Sequence, residues 1–341
     1  MSAFLIGICL SPSVYAAETV LRYTDHEPYG NMRTRAINEI FFRSIEQESR
    51  GKVKIEAHWG GELSTSYNAL KTVAEGKRAD MGTVVPEYTP DQLPLHQIFK
   101  SFPVGPENGN AQVAFFKRIF QQNPNFSHEL MKNNLINLQF FLGYPAGFFS
   151  VKPALQLNKL NGTRWRTASF WHQAWLRNAG GTLVSMPWND NISNALRNGQ
   201  LDGLLVNLDS GNDIQAQRAA RWVSYSPALW LGHVYLLAIN KDAWAALDEK
   251  DKAAIRRAAE STEKQPGTLL DKSLLSIGET MEKEGTHLHR LSRTELQRWQ
   301  DASRYQQVQN EWVQAQEEKG NIEAALMIRA VSKELNTISG N

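Results

Sequence analysis

Residues 160–206 read LNGTRWRTASFWHQAWLRNAGGTLVSMPWNDNISNALRNGQLDGLLV, and the punctuation of this stretch decides the fold. Arg164-Trp165-Arg166-Thr167 predicts a strand, and a helix follows near Phe170 to Ala179, stopped by Gly180-Gly181. A second strand over Thr182 to Met186, a helix near Asn191 to Arg197 and a third strand over Gln200 to Val206 complete the run. Strands alternating with helices call for a largely parallel sheet with helices on its faces, because a parallel neighbour needs a crossover long enough to hold a helix.

The same unit occurs upstream without sequence repetition. Val20 to Tyr23 reads as a strand, and Met32, Ala36, Ile37, Ile40, Phe41 and Ile45 recur near a period of 3.6. Val53, Ile55 and Ala57 alternate with Lys54 and Glu56 in a half-buried strand, and Gly60-Gly61 breaks the chain before a helix around Tyr67 to Glu75. Gly76 stops that helix, and Ala79 to Val85 forms a strand ended by Pro86. An apolar strand, Leu138 to Leu142, runs into Gly143-Tyr144-Pro145-Ala146-Gly147, where a crossing between domains fits. Leu229 to Asn240 reads as the return crossing. The expected fold class is α/β, with two lobes, each a mainly parallel sheet flanked by helices. Residues 18–143 plus 233–272 form lobe I, and 144–232 plus 273–335 form lobe II. Beyond Trp244 the pattern is helical apart from a strand around His287 to Leu291, with one long polar helix near Thr294 to Glu318 bracing the surface.

Composition narrows the function. Lys+Arg number 37 and Asp+Glu 35, a net charge of +2, so no electrostatic footprint for nucleic acid is present. Hydrophobic residues make up 42% and mean hydropathy is −0.43, which speaks against a polytopic membrane protein. The first residues predict an export signal, Met1 to Ala17. The apolar run Ala3 to Leu10 is too short for a span, and the small-residue site Tyr15-Ala16-Ala17 follows Ser11-Pro12. No Lys or Arg precedes that run, so a true start upstream of Met1 is an expectation of this reading. Cys9 is the only cysteine and lies inside the signal, so the mature chain is expected to contain no disulfide and no cysteine-held metal.

No Gly-x-Ser-x-Gly, P-loop or Gly-x-Gly-x-x-Gly motif is present. His287-Leu288-His289 would aim both imidazoles to one face of a strand, but no third ligand can be named and two solvated surface histidines are the favoured reading. Asp202, Asp209 and Asp213 fit neither a calcium loop nor an acid-base pair. The residues therefore argue for binding more than turnover. Arg166 is the most informative. A strand ending in Arg and followed by Thr167-Ala168-Ser169 and a helix sets a guanidinium in the crevice where open sheets bind ligands, and a guanidinium matches a carboxylate in a two-pronged contact. Arg164 shares its face at period two, so periodicity leaves both in play, as it does a plain surface ion pair.

At these residues the chain resembles the DctP-type solute receptors of tripartite ATP-independent periplasmic (TRAP) transporters. The family's central stretch, Lys-Pro, then Asp-Leu-Lys-Gly, then Lys-x-Arg, is matched by Lys152-Pro153, Leu160-Asn161-Gly162 and Arg164-Trp165-Arg166-Thr167. Its Ala-Leu-x-x-Gly-x-x-Asp-Gly is matched by Ala195 to Gly203, and its first domain by Gly51 to Ile55, Gly60-Gly61-Glu62-Leu63 and Gly76 to Met81. Asn240 to Trp244 and Leu291 to Leu296 extend the likeness over the mature chain.

The resemblance implies a two-lobed periplasmic binding protein that closes on an organic acid and delivers it to the small and large membrane subunits of a TRAP transporter. No cofactor, metal or nucleic acid is implied. The family's carboxylate-clamping arginine matches Arg166, and an aromatic that packs on the ligand falls near Trp188, one residue out of step. Glu87, Phe170 and Trp230 are further candidate liners. Two departures stand out. Ala146 occupies the place where many members hold a second Arg, and the family's Asp-Gly-Gln-Glu-Asn becomes Asp202-Gly203-Leu204-Leu205-Val206, with Asn207 one position late and Asp209 beyond. A strand running through 207 would bring Val206 to the lining instead. With one assured guanidinium, a second buried carboxylate would cost several kcal/mol in desolvation, so a monocarboxylate is favoured over a C4-dicarboxylate, with hydroxylated ligands suited to Asn207 and Asp209. A periplasmic enzyme acting on a carboxylate, or a receptor for a sensor kinase, would share these binding physics.

Overall fold

The computed structural model describes residues 18–153, 156–186 and 191–339. In chain order the strands are β1 (Thr19–Thr24), β2 (Val53–His58), β3 (Met81–Val84), β4 (Leu135–Leu142), β5 (Ala146–Ser150) and β6 (Arg164–Arg166). They continue as β7 (Thr182–Leu183), β8 (Gly203–Asn207), β9 (Trp222–Tyr225), β10 (Val234–Asn240) and β11 (His287–Arg290). They make two sheets, one ordered β2-β1-β3-β10-β4 and the other β11-β9-β5-β8-β6-β7. The predicted export signal, Met1 to Ala17, lies outside the described residues.

Both sheets are mixed, and the reversed strands are the crossing ones. β1 pairs in parallel with β2 and β3, as β6 does with β7 and β8. β10 runs antiparallel to both β3 and β4, and β5 antiparallel to both β8 and β9. Each of these two strands enters its sheet directly from the other lobe, β5 after β4 and β10 after β9. β5 occupies residues that the Gly and Pro of the crossing had marked as irregular. Its Gly147 packs closely, since a Cβ there would stand 2.7 Å from Leu208 Cδ2 and the Leu208 side chain would have to shift.

Large aromatic side chains fill the space between sheets and helices. Phe115 and Phe116 pack on Trp230 in the first lobe, the Trp230 ring perpendicular to Phe115 at 5.4 Å, and Phe99 and Phe126 extend the cluster behind them. Phe148 meets Trp165 and Trp299 edge to face in the second, at 5.8 and 4.9 Å. Such pairs add about 0.5–1.5 kcal/mol each beyond the area they bury. Both groups belong to one continuous core, and separate apolar clusters line the far face of each sheet.

Two expectations for the C-terminal region are corrected. The long polar helix is two helices, Arg293–Ser303 and Tyr305–Glu318, because Arg304 adopts a left-handed conformation (φ 47°). The Asn178 side-chain amide donates to the Ser303 carbonyl that the break releases, at 2.7 Å. The last helix, Ala324–Ser339, packs its buried Ala324, Met327, Val331 and Leu335 onto the first lobe, against the helix Gly109–Gln122, rather than staying with the second. Arg118 Nε meets Glu334 Oε1 there at 2.6 Å. On β11, His287 stacks on Trp222 at 4.1 Å and His289 pairs with Glu295 at 2.8 Å.

Candidate functional site

β6 lies beside β8, and its last residue decides what the crevice holds. Trp165 turns into the core, its indole N–H donating to Thr163 Oγ1 at 2.6 Å, while Gly203 leaves room for its ring. The residues on either side therefore face away from that core. Arg164 is half-exposed and pairs with Asp202 at 3.0 Å, with Lys152 3.8 Å from the same carboxyl group. Arg166, one turn of the pleat further, is buried in a cleft of about 690 Å³ between the lobes, and its Nε donates to the Met186 carbonyl at 3.2 Å. Burial lowers the Arg166 pKa, opposed by Glu87 and Tyr88, and a guanidinium stays charged through such a shift.

The first lobe supplies the opposite wall. Pro86 opens a short 3-10 turn, Pro86–Tyr88, directly after β3 and turns Glu87 and Tyr88 into the cleft, where the Tyr88 ring packs on Tyr67 at 4.8 Å. The 3-10 helix Leu95–Ser101 brings Lys100 to the same space. Lys100 Nζ stands 3.2 Å from Glu87 Oε2, an ion pair whose side chains are 4% and 11% exposed. Burial by itself would raise the Glu87 carboxyl, but Lys100 and then His233 outweigh it and hold the group well below the usual carboxylate range. Burial pushes Lys100 down, with Glu87 opposing.

A chain of polar contacts links the lobes beneath this pair. His233 Nε2 meets Glu87 Oε2 at 2.7 Å, and its Nδ1 lies 2.8 Å from Asn207 Oδ1. The Asn207 amide donates to the Tyr144 carbonyl. Each ring nitrogen of His233 thus faces an oxygen, which suits a doubly protonated ring, while burial and the Lys100 charge push its pKa down. His172 completes the floor. It is buried, its Nε2 has no hydrogen-bond partner among the described residues, and burial together with the Lys100 charge pushes its pKa to about 3. Both crossings close behind the site through glycine. A Cβ on Gly143 would stand 2.2 Å from His233 Cβ, and one on Gly232, which has φ of 60°, would stand 1.9 Å from the Phe99 carbonyl oxygen.

Two lobes, two crossings and a polar cleft at the carboxyl end of β6 and β8 form a receptor-like arrangement, and comparison with known proteins gives it a family. The family model for bacterial extracellular solute-binding proteins, family 7, named DctP, matches residues 27–314. The chain belongs to this family.

A curated solute-binding protein of Chromohalobacter salexigens is 24% identical to this family 7 protein over 288 residues, 80% of each chain. Among solved structures, a TRAP periplasmic solute-binding protein from Desulfovibrio salexigens superposes with a TM-score of 0.81 at 20% identity, covering 95% of this chain and 98% of its own. Another from Chromohalobacter salexigens, with bound D-glucuronate, gives 0.76 at 18% identity over 92% and 99%. A marine metagenome TRAP protein in complex with metahydroxyphenylacetate gives 0.79 at 19% over 94% and 99%. These likenesses show the two-lobed fold.

Of the residues singled out in the sequence, the cleft of this family 7 protein gathers Arg166, Glu87 and Asn207, with Val206 beside Asn207 because β8 ends there. Three candidates lie elsewhere. Asp209 lines a separate cavity of about 170 Å³ with Glu27, Arg33 and Asp213, and burial raises its carboxyl to about 7. Phe170 is 42% exposed and packs on Trp171 at 4.7 Å, outside the cleft lining. Trp230 is a core residue, held among Phe115 and Phe116. Trp188 lies outside the described residues. Sequence reasoning missed Lys100, His172, His233, Tyr67 and Tyr88. Pro86 at the end of a strand was a usable signal for Glu87 and Tyr88, whereas Lys100 sits in a mixed stretch, Leu95 to Phe102, whose Leu95, Ile98, Phe99 and Phe102 read as core and whose polar residues carry no motif.

Proposed function

We propose that this chain is the exported receptor of a TRAP-type secondary transporter and captures a small organic carboxylate on Arg166. The observation that carries the reading is the position of Arg166, buried at the end of β6 and lining a cleft between two lobes joined by strand crossings and by the helices that span them. A guanidinium there offers a carboxylate two parallel charge-assisted hydrogen bonds in a desolvated setting, while Tyr67 and Tyr88 shield the ligand from the first lobe. The cleft volume suits a small organic acid. Ligand contacts from both lobes favour the closed arrangement over the open one, and that difference in affinity drives closure about the crossings at Gly143 and Gly232. The closed form is then what the small and large membrane subunits receive in the periplasm.

The solved relatives support the ligand class. Besides the D-glucuronate and metahydroxyphenylacetate complexes, a Bordetella pertussis extracytoplasmic receptor binds pyroglutamic acid, and all three ligands carry one carboxylate. Within the described residues no helix is long and apolar enough to cross a membrane.

Titration calorimetry of the mature protein tests the assignment, with D-glucuronate, 3-hydroxybenzoate, pyroglutamate and lactate as probes. At least one should bind, and Arg166→Ala should weaken that binding by about 2–5 kcal/mol. Arg166→Lys should bind poorly too, because an ammonium lacks the planar fork. The bound acid should be recovered unchanged after incubation. Wild-type affinity in Arg166→Ala would overturn the role given to Arg166.

A further inference from the structure

Among the described residues lining the cleft, Glu87 is the one acidic side chain, and it does not stand alone. Lys100 brings a second cation to the site besides Arg166, from the other lobe, and it is almost entirely buried, 3.2 Å from Glu87 Oε2. The other cations near the missing family arginine are taken: Arg164 and Lys152 both pair with Asp202 outside the cleft. Ala146 itself is buried in β5, opposite Asn207, and contributes nothing polar beyond its main chain.

We propose that Glu87 sets the charge of the ligand: by cancelling Lys100 it presents the floor of the cleft as a neutral polar pair, so that the part of the ligand remote from its carboxylate is an uncharged hydroxyl or carbonyl group. This deepens the receptor reading and rests on it. A second carboxylate reaching that floor would find Lys100 already compensated and would be pressed against the Glu87 carboxylate in a site with little water to screen the repulsion. A hydroxyl meets no such cost, since it can donate to Glu87 and accept from Lys100 or from the unpartnered Nε2 edge of His172 when that nitrogen carries the proton. The specificity is therefore built by an opposing charge as well as by an attractive one, and removing the opposing charge should reverse it.

The prediction is read by calorimetry on the mature protein at about pH 8, where His233 carries no second proton. D-Glucuronate, 3-hydroxybenzoate, pyroglutamate and lactate serve as monocarboxylates, succinate and malate as dicarboxylates. The wild type should bind at least one monocarboxylate and neither dicarboxylate. Glu87→Gln, which keeps the shape and a hydrogen-bond acceptor for His233, leaves Lys100 uncompensated and should tighten succinate or malate by about tenfold or more. Lys100→Met makes the opposite change: a lone buried carboxylate should weaken every monocarboxylate by about tenfold or more, and this variant decides the matter if Glu87→Gln does not fold. A wild type that prefers succinate or malate overturns the inference, as does a folded Glu87→Gln with no gain for either, or a Lys100→Met with unchanged affinities. If no acid of either kind binds the wild type, the receptor reading itself fails, and that result is distinct from a monocarboxylate binder whose preference Glu87 does not control.

Discussion

His172 and Arg166 both line the cleft, and burial acts on the two in different ways. Arg166 keeps its charge under desolvation, whereas the His172 ring, buried beside Lys100, is held neutral, its pKa pushed from 6.5 to about 3. Such a depressed histidine makes stability depend on pH with a definite sign. The unfolded chain takes up a proton as pH falls through 6.5, but the folded chain does not until about 3, so the folded state loses ground across that window. Thermal unfolding of the ligand-free protein should therefore fall from about pH 7 to about pH 5 more steeply in the wild type than in His172→Phe. Parallel curves for the two proteins would show that the ring is protonated in the fold. The same residue scale explains why Arg166 rather than Arg164 reaches the cleft. Both sit on one face of β6, but Arg164 opens the strand beside Asp202, and Arg166 closes it at the crevice.

At the scale of elements, the crossings constrain the sequence most tightly. Gly232 has φ of 60° and lies so close to the 3-10 helix Leu95–Ser101 that a Cβ would overlap the Phe99 carbonyl oxygen at 1.9 Å. Gly199 has a similar φ of 68° but nothing within 4 Å of the same position. The pair separates backbone strain from collision. Gly199→Ala should cost about 1 kcal/mol for the left-handed conformation alone, and Gly232→Ala more than about 3 kcal/mol, because the helix carrying Lys100 must shift as well. Urea unfolding measures both, and equal costs would mean that the crossing yields without strain. Since Lys100 moves with that helix, Gly232→Ala should also weaken ligand binding, whereas Gly199→Ala should leave it unchanged.

At the scale of the whole molecule, the two lobes share one core. The aromatic cluster around Trp230 in the first lobe is continuous with that around Trp299 in the second, and the chain, after packing the helix Tyr305–Glu318 on the second lobe's helix Phe170–Asn178, docks its last helix, Ala324–Ser339, back on the first. Local unfolding of one lobe would strip packing from the other. Denaturant unfolding should accordingly proceed as a single transition, with tryptophan fluorescence and far-ultraviolet circular dichroism coincident. Two resolved steps would show that the lobes fold as independent units despite the shared core.

Much of this organisation is written locally. The alternation of strand and helix over residues 164–206, the stop at Gly76 and the helix Asn191–Arg197 follow from periodicity, glycine and strand ends, which depend on neighbours in the chain, whereas the choice of Arg166 over Arg164 rested on the family resemblance. What the sequence leaves open is where distant segments meet. β5 and β9 are strands because β8 and β11 lie ready to pair with them, and Arg304 breaks a helix because Asn178 waits for the freed carbonyl. The chemistry of the cleft is of that second kind. Glu87, Lys100, Asn207 and His233 are spread over nearly half the chain, and nothing in their spacing marks them as partners. Their charges become one polar network only when the crossings bring two lobes together and exclude the water that would otherwise screen them.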